Sequence, residues 1–313
     1  MEIARQSESI AVIGANARAA GLARALLHTG HAITVWSPTP DADAAPALRI
    51  DGVRSADSWT SALGAAPLVV LCVDDYDELR LILDEAGGHA LTAHDVVNLT
   101  SGTSEEADRA ADRVAALGGR YLDGALMAHP EHVGDSATIL VFSGSAEVFE
   151  RRSAVLACFG SASYLGPAAG TAALYDVAML GFAWSTLLGY LYTAVLLGTS
   201  GVPATTLTPL LTGWLTTTVV DVIEDYAGQV DARRYPGDEE WLELDFPLMG
   251  HLVRTSRERG LDTRLPRLIE ALTSDGIADG RGRESFAGLV EILRRQSAGV
   301  GVTGAGTGQN QHA

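Results

Sequence analysis

Along the first half of the chain, short continuous apolar runs alternate with longer segments of helical spacing. The run SIAVIGA (residues 9–15) reads as a first strand with its turn at Gly14. AAGLARALLHTG (residues 19–30) has apolar residues on one helical face and stops at Gly30. AITVW (Ala32–Trp36) reads as a second strand. LVVLCV (Leu68–Val73), DVVNLT (Asp95–Thr100), RYLDGALM (Arg120–Met127) and ATILVFSG (Ala137–Gly144) predict further strands. Helices are predicted between most of them, over Tyr76–Ala86, Ser104–Leu117 and Ala146–Ala157. Strands alternating with helices predict a doubly wound α/β domain with a parallel sheet. Ligands of such sheets sit at the carboxyl ends of the strands.

After Gly166 the pattern changes to helices alone, with amphipathic ones over Leu248–Arg259 and Leu265–Leu272. The expected division is therefore an α/β domain over 1–166, a helical domain over 167–296 and a disordered Gly/Thr/Gln/Asn-rich tail over 297–313. From Val177 to Val220 no residue is charged, and Val177 to Leu197 is long enough to span a membrane. No Lys or Arg flanks it, the run opens at Asp176, and Ser185, Thr186, Gly189 and Thr193 interrupt it. These features predict a helix buried on all sides by protein, at a domain or subunit interface.

Composition narrows the function classes. The chain has 313 residues with 47% hydrophobic residues, enough for about two packed domains. The net charge of −17 gives no electrostatic reason to bind nucleic acid or an anionic membrane. Cys72 and Cys158 cannot form a disulfide framework, and the polar N-terminus has no secretory signal pattern. A cytoplasmic protein without nucleic-acid or membrane partners is the expectation.

Segments over nearly the whole chain resemble the imine reductase family, relatives of the β-hydroxyacid dehydrogenases. They are VNLTSGT (Val97–Thr103), YLDGALMA (Tyr121–Ala128), SGSAEVFE (Ser143–Glu150), YLGPAAGTAALYDVAMLG (Tyr164–Gly181), YPGDE (Tyr235–Glu239) and RGLDTRLP (Arg259–Pro266). The resemblance implies an N-terminal Rossmann domain, a long interdomain helix and a helical C-terminal domain. It also implies a homodimer that exchanges helical domains and places its active sites between subunits. The implied activity is NADPH-dependent reduction of cyclic imines or iminium ions.

The cofactor motifs depart from the family pattern. In place of G-x-G-x-x-G stand Gly14, Asn16 and Ala19. Alanine suits the third position, but Asn16 puts a side chain where pyrophosphate approaches bare backbone. After the second strand, where the family has Asn and Arg for the 2′-phosphate, stand Ser37 and Pro38. Losing that grip and crowding the pyrophosphate costs roughly 3–5 kcal/mol, or about 10²–10⁴ in affinity. NADPH binding is therefore expected to be weak or absent, unless Arg18 or Thr39 compensates.

On the substrate side, Asp176 falls on the family's catalytic aspartate, implied to anchor or protonate the imine nitrogen. Its other reading is an N-cap or a satisfied buried carboxyl. Asn98 and Thr100 match family positions near nicotinamide and substrate, or serve as turn residues. Trp184, two turns beyond Asp176, and Trp214 are candidates for the pocket wall or for plain packing; Trp241 is a weaker one. His129 and His132 in AHPEH offer groups that titrate near neutrality, or belong to a polar loop. No third metal ligand accompanies them. Cofactor positions are lost while substrate positions persist. The sequence therefore favours an enzyme acting on an imine or amine by non-redox proton transfer (cyclisation, isomerisation or dehydration), with Asp176 as acid and His129 or His132 as base. The alternatives are an NADPH-dependent imine reductase with a variant phosphate grip, and a non-catalytic binding or scaffold protein.

Overall fold

The computed structural model describes residues 7–38 and 45–298. Eight strands form one sheet: β1 (Ser9–Ile13), β2 (Ala32–Trp36), β3 (Arg54–Ser55), β4 (Leu68–Leu71), β5 (Asp95–Asn98), β6 (Arg120–Leu126), β7 (Ile139–Gly144) and β8 (Ser161–Tyr164). Their order is β3-β2-β1-β4-β5-β6-β7-β8. β4 and β5 are buried at every position; β4 accordingly reads as an unbroken apolar run, while β5 carries the buried polar residues Asp95 and Asn98 at its ends. The order reverses between β1 and β4, so a crevice opens at the carboxyl ends of these strands.

Helices cover both faces. α1 (Ala17–His28), α5 (Ala146–Arg151) and α6 (Ser153–Leu156) flank one core, around Leu22, Val35, Val70 and Phe142. α2 (Trp59–Gly64), α3 (Tyr76–Glu85) and α4 (Ser104–Ala116) flank the other, around Ile13, Leu71, Val96 and Val114. Side chains of Asn16, Ser58, Asp75 and Thr103 cap α1 to α4 by accepting first-turn N–H groups.

The sheet departs from the expected parallel arrangement at one pair: β7 runs antiparallel to β6. The segment joining them carries only the short 3-10 turn Pro130–His132, with no crossover helix to return the chain. β3, α2 and β8 were not expected from the apolar pattern.

The remaining helices are α7 (Gly170–Gly198), α8 (Ala204–Trp214), α9 (Val220–Ala232), α10 (Leu242–Glu258), α11 (Arg264–Gly276) and α12 (Val290–Ala298). A π-helical segment, Leu215–Val219, joins α8 to α9. The chain forms two compact units divided within α7, after Ser185. In the second unit Leu242, Leu289 and Ile292 form a small core. The Tyr192 hydroxyl there donates to Ser256 Oγ at 2.6 Å. α12 reaches Ala298, and the rest of the expected tail lies outside the described residues.

Within one chain, α7 is enclosed only at its start, so its expected enclosure is left to a subunit interface. Its buried residues are Gly170, Ala172, Ala173 and Asp176, all near its start. Leu174, Phe182, Trp184, Leu188 and Leu191 are exposed. α7 and the continuous stretch Ala204–Ala232 are both long and apolar enough to cross a membrane.

Candidate active site

Gly14 ends β1 with φ +111°, and a Cβ there would lie 2.1 Å from the Cys72 carbonyl oxygen. Only glycine allows this close approach of the β1 and β4 ends. The chain then turns into α1 at Asn16. Asn16 Oδ1 accepts from the Ala19 N–H at 2.9 Å, and Asn16 Nδ2 donates to Asp74 Oδ1 at 2.9 Å. The side chain thus lies on its own helix terminus. It takes one first-turn N–H and leaves those of Ala17 and Arg18 open, as helix geometry dictates.

The start of α7 is fastened to the sheet. The Gly170 N–H donates to Asp108 at 2.8 Å, and the Ala172 N–H donates to Ser143 Oγ at 2.8 Å. Ser143 in turn donates to the Ala169 carbonyl at 2.6 Å. These bonds fix the first turns of α7 and with them Asp176, the seventh residue of the helix. Asp176 is therefore not an N-cap. It is 6% exposed, and burial raises its carboxyl above the ordinary aspartate range. A hydrogen bond with the Ser101 side chain and the charge of Arg18 act in the opposite direction.

Asp176 lines a cavity of about 670 Å³. The same cavity is lined by Asn16, Ala17 and Arg18 of the first turn, by Val73 and Asp74 after β4, and by Ser101 after β5. Met127, His129, Met179, Leu180 and Ala183 complete most of the wall. The N-terminus of α1 and a buried carboxyl therefore face one space.

Other expected residues fall elsewhere. Asn98 and Thr100 are buried, and neither lines the cavity. Asn98 Nδ2 donates to the Tyr76 hydroxyl at 2.8 Å and to Asp123 Oδ1 at 2.9 Å, and Thr100 Oγ1 accepts from the Val73 N–H at 3.2 Å. The pleat of β5 turns Asn98 inward, and the hydrogen bonds of both side chains tie together the segments that form the site. His132 pairs with Asp135 at 3.0 Å on an exposed turn and is absent from the cavity wall, unlike His129. Trp184 is 68% exposed and Trp214 58%, and neither lines this cavity. Thr39 lies outside the described residues. Among the described residues, no three His, Cys, Asp or Glu side chains gather as metal ligands. Ser101 and Met179 were missed, although both stand inside motifs quoted from the sequence.

Beyond the turn, Ser37 and Pro38 border a cavity of about 640 Å³ with Trp36, Asp57, Trp59 and Glu85. The rings of Trp36 and Trp59 lie 6.0 Å apart at 60°. An adjoining groove is lined by Pro38, Asp74, Asp75, Glu78, Ile82 and Glu85. Carboxylates line both spaces, and no Lys or Arg is among their described lining residues. The glycine turn and helix terminus fit a dinucleotide. The acidic rim offers no cation to a ribose 2′-phosphate.

Known proteins agree with this architecture. Residues 9–169 match the model of the NAD binding domain of 6-phosphogluconate dehydrogenase. Residues 168–295 match the NADPH-dependent reductive aminase-like C-terminal domain. An NADPH-dependent reductive aminase of Aspergillus oryzae is 29% identical over 92% of this chain and 98% of its own. The structure of a reductive aminase from Aspergillus terreus, in complex with NADPH and ethyl levulinate, is 30% identical with a TM-score of 0.84. It covers 92% of this chain and 100% of its own. A variant of the imine reductase from Myxococcus stipitatus, in complex with NAD+, is 28% identical over 92% of this chain and 100% of its own, with a TM-score of 0.85. These relatives are reductive enzymes, so they favour the reductase alternative over the expected non-redox chemistry. With a Rossmann-type domain followed by a reductive-aminase-like helical domain, the chain belongs to the imine reductase and reductive aminase family, an NADPH-binding family of oxidoreductases.

Proposed function

We propose that the protein reduces the C=N bond of a small imine or iminium substrate, with Asp176 as its proton donor and nitrogen anchor. The observation that carries this reading is the shared cavity: Asp176 and the first turn of α1 line one space. Gly14 and the open N–H groups of Ala17 and Arg18 would hold the dinucleotide pyrophosphate. The bound nicotinamide supplies a hydride to the substrate carbon. The Asp176 carboxyl gives the nitrogen its proton and, once ionised, pairs with the resulting cation. Burial favours the protonated acid that this step needs. Met179, Leu180 and Ala183 line one side of the same space.

Two finer points belong to this proposal. NADPH binds more weakly than in a relative with a cation at the 2′-phosphate, because the rim here is acidic. The exposed apolar length of α7 is covered by a second copy of the chain, making a homodimer. The free buried thiols of Cys72 and Cys158 suit a reducing cytoplasm.

The test is calorimetric titration with NADPH and with NADH, followed by cofactor oxidation with 2-methyl-1-pyrroline. Binding of either cofactor and turnover that Asp176→Asn abolishes is the expected result. Substrate conversion that proceeds without any nicotinamide would overturn the reading and return the chemistry to proton transfer.

A further inference from the structure

The guanidinium of Arg18 is anchored at one atom. Its Nη1 donates to Ser101 Oγ at 2.8 Å and to the Leu99 carbonyl at 3.4 Å. Both partners lie at the carboxyl end of β5, across the crevice from α1. The anchor therefore pulls Arg18 toward Ser101, the residue whose side chain also hydrogen-bonds Asp176. No ion pair joins Arg18 to Asp176 among the described residues. The edge made by Nε and Nη2 has no partner among them either. That edge carries two parallel N–H groups and matches the two oxygens of a carboxylate.

Arg18 is also the single Lys or Arg among the described residues lining this cavity. In a chain of net charge −17, a half-buried cation inside an apolar-walled cavity stands against the prevailing charge. The cavity wall thus holds a cation, Arg18, with its partner Ser101, and the carboxyl of Asp176. A ligand complementary to both carries a cationic nitrogen and a carboxylate a few atoms apart.

We infer that the substrate is an imine bearing a carboxylate, gripped by the Nε–Nη2 edge of Arg18 while its nitrogen faces Asp176. The product would be a secondary amine with a carboxylate, an amino acid of the cyclic or N-substituted class. This inference rests on the reductase reading for its chemistry but not for its binding geometry. A neutral imine would leave the Arg18 edge without a partner. Sites that lose a designed partner discriminate strongly against the analogue lacking it.

The experiment compares 1-pyrroline-2-carboxylate with 2-methyl-1-pyrroline, using the full chain and the variants Arg18→Met and Arg18→Lys. Binding is measured by calorimetry, and turnover by cofactor oxidation. The native protein should prefer the carboxylate by about 30-fold or more in kcat/KM and in affinity. Arg18→Met should erase that ratio, and Arg18→Lys, which keeps the charge and loses the fork, should retain part of it. An equal response to both imines in the native protein would overturn the inference, as would a ratio unchanged in Arg18→Met. Weakened NADPH binding in Arg18→Met with an unchanged substrate ratio would also overturn it, assigning the guanidinium to the pyrophosphate. Preferential binding of the carboxylate without reduction would sink the reductase reading and leave the carboxylate grip standing. Reduction of the neutral imine alone would do the reverse.

Discussion

Asn16 donates its side-chain amide to the carboxylate of Asp74 at 2.9 Å, tying the first turn of α1 to the loop after β4. This bond lays a polar side chain and a carboxylate beside the turn between β1 and α1. A pyrophosphate arriving at the N–H groups of Ala17 and Arg18 must approach that carboxylate. The same side chain caps α1, so its presence stabilises the helix while it disfavours the ligand.

Replacing Asn16 with glycine separates these two effects. Glycine is a tolerated N-cap, so the fold should lose only a few tenths of a kcal/mol. Calorimetry should find NADPH and NADH both bound about tenfold more tightly. Adding Pro38→Arg should then favour NADPH over NADH by about 10–100-fold, because a guanidinium would face the 2′-phosphate. Equal tightening of both cofactors by Pro38→Arg would show that this residue does not border the phosphate.

The Asp176 carboxyl sets a second expectation, in pH. Its pKa is raised by burial, against the Ser101 hydrogen bond and the Arg18 charge. A proton donor works while protonated, so kcat should be highest at low pH. It should fall as pH rises through a value above the ordinary carboxylate range. Asp176→Asn keeps an acceptor for Ser101 and loses the proton, so kcat should drop about 10²–10⁴-fold with folding intact. A kcat profile with the same descending limb in the variant would assign the titration to another group.

How far the sequence reached can be followed residue by residue. β4 was legible because both faces are buried and every position is apolar, and β5 because Val96 and Val97 sit inside the quoted run although its two ends, Asp95 and Asn98, are polar. β8, with the sequence SASY, was not, because it is a half-exposed edge strand with little apolar content. β3 is two exposed residues, Arg54 and Ser55, defined only by pairing with β2. Asp176 was legible from its motif and from the uncharged helix it opens. Its link to Arg18 through Ser101 was not, since residues in three separate elements meet only once the sheet forms. Asn98 shows what a motif does not carry: in this chain the pleat of β5 turns its side chain to Tyr76 and Asp123.

That inward network gives a third prediction. Asp123 accepts hydrogen bonds from Tyr121, Tyr76 and Asn98 and is 1% exposed. Burial nevertheless pushes its carboxyl up from 3.8 to about 6. A carboxyl raised in the folded state binds its proton more tightly there than in the unfolded chain. Stability is therefore greatest below pH 3.8 for this group and declines until pH passes about 6. The difference amounts to about 3 kcal/mol. Asp123→Asn has no proton to lose, so the fall in Tm across this window should flatten, leaving the variant relatively more stable near neutral pH. An unchanged slope would mean that the carboxyl is not the titrating group.

The last prediction concerns α7. Trp184 is 68% exposed, Leu188 52% and Leu191 57%, and helical spacing sets Trp184, Leu188 and Leu191 along one stripe. A soluble monomer rarely exposes an apolar surface of this length. Membrane insertion suits the composition of α7, yet no Arg or Lys occurs anywhere from Ser153 to Ala232 to anchor the ends at a lipid interface. A second copy of the chain would cover the stripe without requiring such anchors. Sedimentation equilibrium should therefore return twice the chain mass at micromolar concentration. Leu188→Arg places a guanidinium in the middle of the stripe and should shift the equilibrium toward monomer, with association weakened by at least tenfold. A monomeric native protein that instead floats with phosphatidylcholine vesicles would assign the stripe to lipid.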